Sequence, residues 1–263
     1  ASQFHGSAAP WVRHEEVTAI AAHPDGNGYW LARAAGPVWP LTGVPTPSVV
    51  DRPALAVKID NHFFSRGQWG LNQADIVVEE LVEGSLTRFV AVFHSQAPPI
   101  VGPVRSARET DVAILPVLGE SLLVYSGGNQ TVRNIVEAAP SITPVNPVPP
   151  YNDLFYRTSR RPSPHDLLTG APELWSATAG LDLPIPTAMF SYRSEIVTDP
   201  QITVAPSMFL DFGGQTATWD WNGTHFVRSH GTRAHVDATG VQVHTDNVVV
   251  LETPYFTSGS TGS

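Results

Sequence analysis

The chain has 263 residues, a formal charge of −9, 42% hydrophobic residues and no cysteine. That length exceeds one average domain and supports a sizeable core, so one large or two small folded domains are expected rather than a disordered chain. The acidic balance argues against wholesale binding to nucleic acid or anionic membrane, and the missing cysteines exclude disulfides, thiolate zinc sites and a cysteine nucleophile. No run approaches the ~18 apolar residues of a membrane span, and the start at Ala1 lacks a signal-like stretch, so a processed or truncated product is expected. Of 15 basic residues only Lys58 is a lysine, while Arg88, Arg105, Arg108, Arg133, Arg157, Arg160 and Arg161 cluster in the middle of the chain. Such clustering favours planar, bidentate contacts with anions.

Residues 1–40 are rich in Ala, Pro, Trp and His, and two β-prone pieces flank the turn-forming run Pro24 to Gly28, which predicts a hairpin. The phrase from Pro24 to Leu31 resembles one unit of repeats in actinobacterial cell-surface proteins, but no second copy follows, so a propeller is not implied. After a proline-punctuated entry, Ala54 to Ile59 predicts a strand that stops at Asp60, Asn61 and His62, poor strand formers but good site residues. Ala74 to Val82 is nearly continuous apolar and predicts a strand buried on both faces. Glu83, Gly84 and Ser85 turn the chain, and the alternation from Thr87 to His94 completes a hairpin. Gly102 to Arg108 then forms a glycine- and proline-shaped loop that projects Arg105 and Arg108, a natural anion receptor.

Thr110 to Leu118 predicts a helix capped by Ser106 or Thr110 and ended or kinked by Pro116. Ser121 to Tyr125 predicts a short strand, followed by Gly127, Gly128 and Asn129 and then a helix from Thr131 to Ala139. A strand, two glycines and a helix start can present backbone amides to an anion, although a tight turn that needs glycine has the same pattern. Residues 140–164 hold seven prolines and read as a long surface loop, carrying Arg157 and leading to His165 and Asp166. Thr169 to Ala179 predicts a helix with Leu174 and Trp175. From about Ser191 short β-prone runs predominate: Ile202 to Val204, Phe209 to Phe212, Ala217 to Trp221, His225 to Ser229 and Val248 to Glu252, with an Asn222-Gly223 hairpin turn. The expected class is therefore α+β or mixed α/β: a mixed sheet with helices over residues 41–190, then a smaller antiparallel β domain over 191–263, behind an extension over 1–40.

Asp60, Asn61, His62, Glu80, Glu83, Arg88, Arg105, Arg108, Gly127, Gly128, Asn129, Arg157 and His165 fall at strand ends or in loops, where an α/β layer gathers its ligand-binding groups. The runs RPALAVKIDNH, GLNQADIVVEELVEGSLTRFVAVFHS, GPVRSAR, YSGGN and SPHDL, in that order and spacing, resemble the YerB-like bacterial secreted lipoprotein family, a domain family of unknown function, over residues 41–252. The resemblance implies a two-part fold and an extracellular or cell-surface setting, and no reaction. Family members usually carry Asn where this chain has Asp166.

Three readings stay open. The first is an Arg-lined cleft that binds an anionic cell-envelope ligand, a glycan, phosphate or carboxylate, with Asp60 and Glu83 orienting Arg105 and Arg108. The second is a hydrolase or transferase using Asp60, His62, Glu80 or Glu83 and His165 as acids and bases. The third is an ion-pair network with no ligand. Asp60, His62, Arg105, Arg108 and His165 are expected in one cleft. No cofactor and no tightly held zinc are expected, and the expected partner is an envelope ligand or envelope protein, with neither nucleic acid nor a transmembrane segment.

Overall fold

The computed structural model describes residues 19–22, 29–32, 50–187 and 205–253. Strands β1 (Ala19–Ala22) and β2 (Tyr29–Ala32) pair antiparallel with Ala22 opposite Tyr29, the hairpin expected from the sequence. Its turn, like the run from Ile202 to Val204, lies outside the described residues.

The main sheet is built from β3 (Ala54–Asp60), β4 (Ile76–Val82), β5 (Leu86–Phe93), β6 (Ser121–Val124) and β7 (Ile142–Val145), in the order β4-β5-β3-β6-β7. β4, β5 and β3 run antiparallel to their neighbours, whereas β3, β6 and β7 run parallel, so the sheet is mixed as predicted. The period of two along β3 divides it between two cores. Leu55, Val57 and Ile59 join Phe89, Ala91, Phe93, Leu122 and Val124 on one face. Ala54 and Ala56 join Val90, Val92 and Leu123 on the other, beneath the helices α1 (Thr110–Ile114), which packs Val112 against it, and α2 (Gln130–Ala138), which contributes Val132 and Val136.

The first core is closed by β8 (Tyr156–Arg157) and β9 (Leu167–Leu168), a two-stranded ribbon, and by α3 (Ala171–Thr178) through Leu174 and Trp175. A second, antiparallel sheet completes it with Trp219 and Val243. That sheet comprises β10 (Ser207–Asp211), β11 (Thr216–Trp221), β12 (Phe226–His230), β13 (Arg233–Ala234) and β14 (His244–Thr245). Trp221 lies opposite Phe226 across the predicted Asn222-Gly223 turn.

Several expectations are corrected. β4 is the edge strand and is only partly buried; its carboxylates look misplaced in an apolar run because each reaches a cation on a different side of the sheet. β7 lies inside the stretch read as a surface loop, and its Pro144 is tolerated because β7 is the opposite edge, where a missing N–H costs the sheet little. α1 is a single short helix followed by a tighter turn at Leu115–Leu118, with Pro116 at its start. Neither Ser106 nor Thr110 caps it: Glu109 stands at the cap position without a side-chain cap bond, and the Thr110 hydroxyl donates to Glu80 instead. Val248 to Glu252 forms no strand and leaves Leu251 exposed, since no neighbouring strand offers it a ladder.

One departure from regular pairing shapes the site. β3 and β6 pair in parallel from Ala54 with Ser121 to Val57 with Val124, and beyond that point the arginine loop enters between them. Arg105 N–H donates to the Lys58 carbonyl at 2.9 Å, Ser126 N–H donates to the Arg105 carbonyl at 2.9 Å, and Ala107 N–H donates to the Gly127 carbonyl at 3.2 Å. Asp60 N–H in turn donates to the Pro103 carbonyl at 2.9 Å. The loop thus takes over hydrogen bonds that the parting strands would otherwise leave open. At its entry Gly102 has φ +138°, and a Cβ there would lie 2.9 Å from the Leu167 carbonyl oxygen, so glycine alone allows this approach.

Candidate functional site

The wedged loop sets Arg105 beside the end of β3. Its Nε lies 3.2 Å from Asp60 Oδ2, an ion pair without the angle of a hydrogen bond, and its terminal nitrogens form no hydrogen bond among the described residues. Asp60 is buried and held at both oxygens: Oδ1 accepts the His62 N–H at 2.9 Å, and Oδ2 lies 2.6 Å from His165 Nδ1. The carboxylate therefore fixes the imidazole with Nδ1–H donating, which leaves His165 Nε2 as the acceptor. The His62 ring stacks on that of His165, with centroids 4.5 Å apart and planes 13° apart. Burial and then His165 push His62 below its ordinary value, against the opposing pull of Asp60.

Two further arginines stand behind Arg105. Arg108 forms a fork onto Glu83, with Nε 2.7 Å from Oε2 and Nη2 on Oε1. Burial raises the Glu83 carboxyl, but the Arg108 hydrogen bonds outweigh it and leave the group below its ordinary value. Arg88 donates to the Ser106 carbonyl at 3.1 Å and has Glu83 at 3.7 Å. Burial, reinforced by Arg108, lowers this guanidinium to about 10. Three guanidiniums thus share two carboxylates, Asp60 and Glu83, and the local balance is positive within an acidic chain. Phe63 and Phe64 form an exposed rim: Phe64 lies 6.0 Å from the His165 ring, and Arg66 sits 5.5 Å over Phe63.

Other residues singled out in the sequence lie elsewhere. Asn61, opposite in facing to Asp60, is fully buried toward the second sheet, donating to Thr87 Oγ1 at 2.7 Å and to Glu79 at 3.1 Å. Glu80 points into the helix-side core, onto Lys58. Arg157 is largely exposed and pairs with Asp166, which gives position 166 an ionic partner. Asn129 Oδ1 accepts the Val132 N–H at 2.9 Å and so caps α2, while Gly127 and Gly128 lie against Ser106 and Ala107 and shape the back of the arginine loop.

Sequence reasoning passed over the groups that lock this edge from the far side. Arg228 on β12 is 1% exposed, and its Nη2 donates to both Glu79 oxygens, at 2.8 and 3.0 Å. Gln215 accepts the Thr87 N–H at 2.6 Å and donates to the Asn61 carbonyl at 2.8 Å. Gln68 donates to the Asp60 carbonyl at 2.9 Å and accepts from His235 Nε2 at 2.7 Å, while Arg228 donates to His235 Nδ1 at 2.7 Å. That pattern requires a neutral ring, and burial followed by Arg228 lowers His235 to about 2. The one legible signal was Arg228 itself, alternating in phase with the apolar Phe226 along β12. Among the described residues no group of three or more His, Asp or Glu side chains is placed to hold a metal ion, and no helix is long and apolar enough to cross a membrane.

A mixed sheet backed by helices on one face and by a second antiparallel sheet on the other, with a charged cleft at the carboxyl ends of its parallel strands, defines an α+β protein of two joined sheets. The chain belongs to the family described as "Protein of unknown function (DUF3048) N-terminal domain", whose model matches residues 41–183. It is 40% identical over 131 residues to "Putative lipoprotein YerB" of Bacillus subtilis (strain 168), a match covering 49% of this chain and 39% of that protein. The chain thus spans well under half the length of that relative. The crystal structure of YerB from Bacillus subtilis superposes with a TM-score of 0.65 at 28% identity, over 80% of this chain and 72% of the other.

Proposed function

We propose that the protein is an extracytoplasmic component of the cell envelope whose cleft binds an anionic ligand: a phosphate- or carboxylate-bearing glycan. The observation that carries this reading is Arg105, rigidly held by its backbone and by Asp60 but with its terminal nitrogens unused among the described residues. A guanidinium that is fixed in place and still has free donors is suited to a bidentate anion. Arg88 and Arg108 add positive potential, and Phe63 and Phe64 supply flat apolar faces of the kind that stack on sugar rings. The envelope setting is supported by the lipoprotein named among its relatives. Titration with a phosphate-bearing glycan and with a neutral glycan of equal size tests the reading. Saturable, salt-sensitive binding of the first alone, weakened in Arg105→Ala, is the expected result; equal binding of both, or none, would refute it.

One observation favours a second reading, a hydrolase or transferase acting on the same envelope ligand. Asp60 orients His165 so that Nε2 can accept a proton from water or a sugar hydroxyl, while Arg105 meets developing negative charge. His165→Asn separates the two: retained binding with lost turnover of the bound glycan marks catalysis, and unchanged behaviour marks a binding module.

A further inference from the structure

The cleft makes no use of Lys58, Glu80 and Asp111. Lys58 is the single lysine of the chain and has no exposed surface, although it lies on the face of β3 where Ala54 and Ala56 are core. Its Nζ lies 2.7 Å from Asp111 Oδ1 and contacts Glu80 Oε1. Glu80 Oε2 accepts the Thr110 hydroxyl, and Asp111 Oδ2 accepts the Arg108 N–H at 2.7 Å. Asp111 is fully buried and Glu80 nearly so.

Two carboxylates against one ammonium leave a net negative charge in a sealed place, an arrangement that favours the uptake of a proton. Burial raises the Asp111 carboxyl to about 6 despite the opposing pull of Lys58, which brings its acid form within reach near neutral pH. A carboxylic acid then touches an amine whose own proton can pass to a second carboxylate. We propose that Lys58 and Asp111 condense into an intramolecular isopeptide bond, with Glu80 as the proton carrier and the Arg108 N–H as the oxyanion donor.

In that step Nζ releases one proton to Glu80, and its lone pair adds to Asp111 Cγ. The negative charge that forms on Oδ2 is met by the Arg108 N–H, already in place. The Cγ–Oδ1 bond then breaks. Oδ1 departs as water, carrying its own acid proton and a second proton from Nζ relayed through Glu80, and Glu80 retains the first. Ammonium, acid and carboxylate become a neutral amide, a neutral acid and one water, with no oxidant, reductant or cofactor. Contact held by the fold replaces the encounter of two separate reactants, and the interior favours the product because its charges are gone. The bond would tie β3 to the first turn of α1 and close a loop across 53 positions.

Intact-mass measurement of the denatured full chain decides the matter, together with amine labelling under the same conditions. The expected wild-type mass is that of the sequence less one water, with only the N-terminal amine labelled. Glu80→Gln, equal in size but unable to carry the proton, should show the full mass and a second label on Lys58 while keeping the folded circular dichroism spectrum. A wild-type chain of full mass overturns the proposal, as does a chain lighter by one water whose Lys58 still takes label. Should Glu80→Gln fail to fold, the wild-type mass and label count remain sufficient.

Discussion

The two sides of the sheet edge around β3 hold similar side chains in opposite condition. Toward the second sheet, Glu79, Arg228, Gln215, Asn61 and His235 close on one another, and the cation there is 1% exposed. Toward the arginine loop, Asp60 is equally well held, but the terminal nitrogens of Arg105 form no hydrogen bond among the described residues and the His62 and His165 rings stand beside exposed phenylalanines. Charges buried against each other hold a fold together; charges that keep donors near solvent can receive a ligand. Adjacent residues, Asp60 and Asn61, belong to the two kinds.

The largest expected effect is on the closed side. Glu79→Ala removes the carboxylate partner of Arg228 and should lower stability by about 3–5 kcal/mol, the cost of an uncompensated buried charge, measured by denaturant unfolding. A loss below about 1 kcal/mol, the level of a surface pair, would erase the contrast between the two sides.

On the open side Arg105→Ala should cost about 1.5–3 kcal/mol of affinity for the anionic glycan, the range for charged hydrogen bonds, with little change in melting temperature. Asp60 retains the His62 N–H and His165 after that change. A large melting shift with affinity unchanged would move Arg105 to the structural side.

Acid should act through His235. Its folded value near 2 lies below the ordinary 6.5, so below pH 6.5 the unfolded chain binds a proton that the native ring refuses, and stability falls with falling pH. The slope approaches about 1.4 kcal/mol per pH unit for this one group. His235→Gln should flatten the fall in unfolding free energy between pH 6.5 and pH 5 by that amount, and an unchanged slope would show that the ring is not held neutral.

The smallest effect concerns the rim. Phe63→Ala should weaken glycan binding by about 0.5–1.5 kcal/mol, the range for an aromatic contact, with stability unchanged because the ring is 57% exposed. Titration alongside Arg105→Ala would show whether the rim contributes at all.

The strand β3, the alternation of β5 and the turn at Glu83, Gly84 and Ser85 were legible because local pattern determines them. The nearness of Asp60, Arg105 and His165 followed from their positions at strand ends and in proline-shaped loops. β4 was misread because an apolar run with carboxylates in it gives no hint that each carboxylate answers a cation 22 or 149 positions away. β7 was hidden by prolines that an edge strand accepts. The separation of Glu80 and Asn61 from the cleft depends on which side of the sheet each faces, and that is settled by the register of β3, β4 and β5, a long-range property.

Gln215 and Arg228 reach the main sheet from beyond residue 183, where the match to the family model ends. A fragment cut at that point would keep every strand of the main sheet and lose the two side chains that cover its polar edge. Glu79, Thr87 and the Asn61 carbonyl would then meet water, and the buried flank of Phe89 beside Arg228 would be laid bare. Such a fragment is expected to be sticky and short-lived toward proteases, and the piece that rescues it in trans is the second sheet supplied as a separate chain.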